Sequence, residues 1–98
     1  MRLLLVEDEV EIQNFLQRSL AEAGYQVQAA GDARTAERMT IEGTHDALIV
    51  DLGLPDEDGL SLILRLRQLG LRAPVLILSA RRSVDDRCAG WNRAVTTI

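Results

Sequence analysis

The sequence predicts an α/β domain with a doubly wound parallel sheet, and three observations carry that expectation. Apolar runs without polar interruption recur at residues 3–6, 47–50 and 75–78, as in strands buried on both faces. The stretches between them repeat apolar residues every three or four positions, the period of amphipathic helices. Each apolar run ends on an oxygen-bearing side chain: Glu7, Asp51 or Ser79. Strands alternating with helices form βαβ units, so these chain positions share one edge of the sheet.

The elements read in order as follows. Residues 3–6 form the first strand, stopped by Glu7, Asp8 and Glu9. The stripe Ile12, Phe15, Leu16, Leu20 and Ala23 marks the first helix, with Gly24 in the place of a C-terminal cap. Tyr25, Val27 and Ala29 alternate with their neighbours, as a second, more exposed strand would. Asp32 can cap a helix over residues 33–41, closed by Gly43. The third strand, residues 47–50, runs into Asp51 and the loop LGLPDEDG, punctuated by Pro55 and Gly59. Leu60, Ile63, Leu64 and Leu66 mark a third helix that stops near Gly70. Pro74 opens the fourth strand, which Ser79 ends, and an Arg-rich segment begins a fourth helix around Val84.

Composition excludes several classes. Ninety-eight residues suffice for one domain. The net charge of −4 argues against a surface that neutralises nucleic-acid phosphates. The single cysteine, Cys88, cannot form an internal disulfide. No stretch approaches the roughly 18 apolar residues of a membrane span, and the start is too short for a secretory signal. A cytoplasmic protein is expected. The basic residues are all Arg; the chain contains no Lys.

Chemistry concentrates at the strand ends. Glu7 and Asp8 follow the first strand, Asp51 ends the third and Ser79 follows the fourth. Three carboxylates on one edge repel one another, and a bound cation resolves the repulsion. Hard oxygen ligands of this kind suit Mg²⁺, which binds through a few carboxylates plus phosphate oxygens. An aspartate beside such a cation can attack phosphorus, and a nearby hydroxyl can hydrogen-bond the phosphoryl oxygens. The plain alternative is that acids after strands are loop starters or helix caps. That reading suits Glu7 or Asp8 singly, less so Asp51, and does not account for acids at matched strand ends.

The ordered set VEDE, IVDLGLPDEDG and LILSAR resembles the receiver domain of bacterial two-component response regulators, a flavodoxin-like (CheY-like) fold. The resemblance covers residues 1–87, and winged-helix DNA-binding regulators are the subclass it looks most like. It implies that Asp51 is the phosphoacceptor and that Ser79 senses the phosphoryl group. It also implies Mg²⁺ held by Asp8, Asp51, the backbone carbonyl of Gly53 and, through water, Glu7. Pro55 and Gly59 would shape the loop. The donor would be a histidine on a sensor histidine kinase, leaving His45 as a loop residue. Such a domain assists its own phosphorylation and dephosphorylation and is not a dedicated enzyme. No direct nucleic-acid contact is expected from this segment, and none with a membrane.

The chain also departs from the family. The Lys that pairs with the phosphoryl group would fall beyond Ile98, and the sheet is expected to hold four of the family's five strands, without the fifth strand and helix. Residues 88–98, CAGWNRAVTTI, do not fit the family pattern. With suitable synonymous codons the neighbouring frame encodes VRGLEPGGDDYL, the segment the family would place there. Loss of one base near the Arg87 codon would explain this tail, the alternative is an ordinary divergent terminus, and the coding DNA decides between them. On that reading the edge beside the fourth strand lies open, which invites self-association, and the chain is a non-signalling remnant or an inert kinase-binding module. Competing classes fare worse. A haloacid-dehalogenase-like phosphatase wants an Asp two residues after its nucleophile, where Gly53 stands, and a nucleotide-binding turn wants glycines where VEDE is acidic.

Overall fold

In the computed structural model, which describes residues 1–78 and 96–97, strands and helices alternate as the apolar pattern requires. The order is β1 (Arg2–Val6), α1 (Val10–Glu22), β2 (Gln26–Ala30), α2 (Ala33–Glu42), β3 (Ala47–Asp51), α3 (Gly59–Gln68), β4 (Val75–Leu78) and β5 (Thr96–Thr97). The strands form one parallel sheet in the order β2-β1-β3-β4-β5. The chain winds outward from β1 to β2 and then crosses to β3. The crevice between the ends of β1 and β3 is therefore the topological switch point, where such sheets bind ligands.

The four strands expected from the sequence are all present. At the edge position expected to be vacant, Thr96 and Thr97 pair with Leu76 and Ile77. The N–H and C=O groups along an edge strand such as β4 are a template for any extended segment. The segment expected to begin a fourth helix around Val84, and with it Ser79, Cys88 and Trp91, lies outside the described residues.

Local chemistry sets the helix ends. The Asp32 carboxylate accepts from the Thr35 amide at 2.6 Å and starts α2. Asp58 accepts from the Leu60 amide at 3.0 Å and starts α3. α1 and α3 are followed by Gly24 and Gly70 at φ of +99° and +103°, a left-handed conformation that glycine takes without steric penalty.

Packing is unequal on the two faces. Leu4, Val6, Leu48, Val50, Val75 and Ile77 of the sheet form one cluster with Ala33 and Ala36 of α2 and Leu60, Leu62, Ile63 and Leu66 of α3. Leu62, fully buried, lies outside the stripe predicted from the sequence, whereas Leu64 of that stripe is exposed. The alternate residues, Leu3, Leu5, Ala47 and Ile49, are buried on the opposite face, where α1 packs against β1 and β2. There the expected stripe is corrected: α1 has no buried residue, and Phe15 is 68% exposed. No helix among the described residues is long and apolar enough to cross a membrane.

Candidate functional site

Strand register builds the acidic site. Val6 pairs with Val50, so the next residues, Glu7 and Asp51, emerge side by side at the crevice. The Glu7 amide still donates to the Ala30 carbonyl at 3.0 Å, which carries the line of β1 one residue past the strand. The α1 side chain Gln13 donates from Nε2 to the Glu7 carbonyl at 2.9 Å, tying the start of the helix to the same turn. One carboxylate oxygen each from Glu7, Asp8 and Asp51 lie within 4.8 Å of one another.

The three acids differ in setting. Glu7 is buried, Asp8 exposed and Asp51 half-buried. Burial first, then a hydrogen bond with Asp51, and after these the other effects of the neighbouring acids, together push the Glu7 carboxyl up to about 7. The Glu9 amide, donating to Glu7 Oε2 at 3.3 Å, opposes the shift. The charge of Asp51 and a hydrogen bond with Asp8 are the smaller contributions to the rise. A proton held there near neutral pH does part of what a cation would do, since it relieves the repulsion among crowded carboxylates. The donor set is all carboxylate oxygen, which fits a hard divalent cation such as Mg²⁺.

The loop after Asp51 is held from both ends. Leu52 and Leu54 are buried in the core and anchor its first half. Gly53 forms an isolated antiparallel bridge with Asp58, and the Gly59 amide donates to the Leu52 carbonyl at 3.0 Å. A Cβ on Gly59 would stand 2.5 Å from the Asp51 carbonyl oxygen and 2.9 Å from Leu52 Cα. This close approach is why glycine stands there. Pro55 lies exposed at the turn.

Several residues that no sequence pattern singles out act near the site. Asp56 accepts from the Ala33 and Arg34 amides at 2.9 and 3.0 Å, and the Ala33 amide, ahead of other causes, holds its carboxyl below the usual range. Arg65 pairs with both Glu57 and Glu37, and those partners, Glu57 first, hold its proton more tightly than usual. Among the acids of LGLPDEDG nothing local distinguishes Asp56, because its partners lie more than 20 residues away at the start of α2. At the opposite edge of the sheet, His45 is a loop residue as expected, but a buried one. Its Nε2 meets Gln28 Oε1 at 2.7 Å, while its buried Nδ1 has no partner among the described residues.

The response regulator receiver domain family matches residues 3–96. The chain belongs to that family. It is 49% identical over 87 residues to the virulence transcriptional regulatory protein PhoP of Salmonella typhimurium, a match covering 89% of this chain and 39% of that protein. The chain thus spans about two fifths of the length of this relative. Among solved structures it resembles the response regulator TrrA of Thermotoga maritima in complex with Mg²⁺-BeF. The TM-score is 0.89 at 26% identity, over 99% of this chain and 84% of that one. The complex of histidine kinase ThkA with TrrA also matches, with a TM-score of 0.76 at 30% identity, over 81% of this chain and 68% of that one.

Proposed function

We propose that this receiver domain takes a phosphoryl group onto Asp51 from a phosphohistidine of a sensor histidine kinase, with Mg²⁺, as part of a cytoplasmic transcriptional regulator. The convergence of Glu7, Asp8 and Asp51 within 4.8 Å at the switch point carries this reading. The kinase complex of TrrA supports the partner class, and the regulatory role of PhoP supports the output.

A carboxylate oxygen of Asp51 attacks phosphorus, the bond from phosphorus to the histidine nitrogen breaks, and an acyl phosphate forms on the side chain. Asp8, Asp51, the Gly53 carbonyl and, through water, Glu7 would hold the cation. When bound, the cation neutralises charge on the transferring group. Gly59 lets the loop close tightly over the Asp51 backbone. Ser79 is the proposed hydroxyl that meets the phosphoryl oxygens; it follows Leu78, the register partner of Asp51. The domain assists its own modification and hydrolysis rather than turning over a separate substrate.

The deciding experiment is intact mass after incubation with a small phosphodonor, with and without Mg²⁺, beside Asp51→Asn. A Mg²⁺-dependent gain of one phosphoryl group, lost in the variant, is expected. An adduct that persists in Asp51→Asn places the acceptor elsewhere. Self-association through the β4 edge, where β5 pairs among the described residues at Leu76 and Ile77, belongs to the same proposal. A single monomeric mass by light scattering across protein concentration counts against it.

A further inference from the structure

The start of α2 is capped twice. Its third amide, Thr35, donates to Asp32, the residue that precedes the helix. Its first two, Ala33 and Arg34, donate to the two oxygens of Asp56, which is 23 and 22 residues away in the loop that follows the acceptor. Helix stability needs no second aspartate from so far off, since one local cap is the usual arrangement. What the bidentate contact does is hold the loop. Two hydrogen bonds to a carboxylate, set at the positive end of a helix, fix both the position and the orientation of the side chain.

The neighbouring contacts point the same way. Glu57 is gripped by Arg65 of α3, and the same guanidinium holds Glu37 of α2. The root of the loop is closed by the Gly53–Asp58 bridge. Residues 53–58 therefore form a short span fixed at its root by backbone and at its apex by α2 and α3. Gly53 lies within that span, two residues past Asp51.

We infer that Asp56 is a positioning residue of the cation site, anchoring the acceptor loop to the start of α2 so that the Gly53 backbone is held in place beside Asp51. This rests on the reading of the acidic cluster as a divalent-cation site, and goes beyond it by assigning a role to a residue outside the cluster. Asp56 touches neither cation nor phosphoryl group; it acts through the loop.

Mn²⁺ serves as the probe, because the free ion has a sharp paramagnetic resonance signal that binding removes. The full chain is titrated as wild type, Asp56→Ala, Asp56→Asn and Asp32→Ala, and thermal melts are recorded for each. Asp56→Ala should weaken Mn²⁺ binding about tenfold, the usual scale for a residue that supports metal ligands. Asp56→Asn keeps one acceptor oxygen and should fall between, and it serves where the alanine variant does not fold. Asp32→Ala removes a cap from the same helix and leaves both amide hydrogen bonds to Asp56 in place, so it should lower the melting temperature and leave the Mn²⁺ affinity unchanged. Equal affinity losses in the Asp32 and Asp56 variants would reduce Asp56 to a helix cap and overturn the inference, as would no loss in a folded Asp56→Ala. A wild-type chain that binds no Mn²⁺ overturns the cation site itself, a separate outcome from either.

Discussion

The two faces of the sheet are built from strands of similar composition yet end in different states. On the α2/α3 face, alternate strand residues and two helices close into a single buried cluster. On the α1 face the strand residues Leu3, Leu5 and Ile49 are buried, but Leu76 and Leu78 remain partly open, and α1 has no fully buried residue, its Leu16 and Leu20 being half-buried. Apolar periodicity in a helix therefore does not certify that its stripe is covered. The stripe says which residues share a side; only the surrounding chain decides whether that side is sealed. Stability should reside mainly in the α2/α3 face, while α1 serves the site through Gln13 and the turn at Glu7.

The contrast is tested most severely by truncating a side chain on the packed face. Ile63→Ala, at a fully buried α3 position, should cost about 2–5 kcal/mol. The expected readout is a lower urea midpoint with an unchanged slope. Next in size is Gly59→Ala, whose added carbon meets backbone rather than a flexible side chain. A loss of about 1–3 kcal/mol is expected from such overpacking, together with weaker Mn²⁺ binding, because the displaced atoms belong to Asp51 and Leu52. An alanine variant as stable as the wild type would show that the loop has room to relax.

A pH series separates the two ends of the sheet. Glu7 has a folded-state pKa raised from 4.5 to about 7. In the absence of divalent cations its contribution to stability is fully present below pH 4.5 and lost as pH rises through about 7. His45 runs oppositely: burial first, then Arg2, lowers its pKa from 6.5, against a smaller effect of Asp46. Its contribution is present above pH 6.5 and declines as pH falls below that value. Melts in a chelator should show Glu7→Gln flattening the alkaline loss, by a few degrees of melting temperature, and His45→Gln flattening the acid one. Added Mg²⁺ should restore the wild type on the alkaline side by mass action. The smallest effect belongs to the open face: Phe15→Ala should change stability by no more than about 0.5 kcal/mol. A loss rivalling that of Ile63→Ala would mean that α1 is covered after all.

Much of the fold and most of the acidic site are legible in the residues themselves. Unbroken apolar runs mark the strands, and Asp32, Gly24 and Gly70 announce helix ends by chemistry that acts within a few residues. The acidic site is legible because parallel topology forces all strand ends to one edge, so Glu7, Asp8 and Asp51 must meet once the strands are read correctly. The roles of Asp56, Glu57 and Arg65 are not legible, since acids in a turn and arginines on a helix are ordinarily solvated, and nothing in their spacing names a partner in another helix. His45 likewise gives no sign of burial, because its partner Gln28 comes from a strand 17 residues away.

The sequence alone thus determined the alternation of elements, the parallel sheet and the residues delivered to its active edge, because those follow from local period and from the connectivity of βαβ units. The tertiary structure alone decided which face is sealed, that Glu7 rather than Asp8 is the buried acid, and that the loop after Asp51 is moored to α2 through Asp56. Each of these depends on what long-range packing places against a side chain, a quantity that no local pattern encodes.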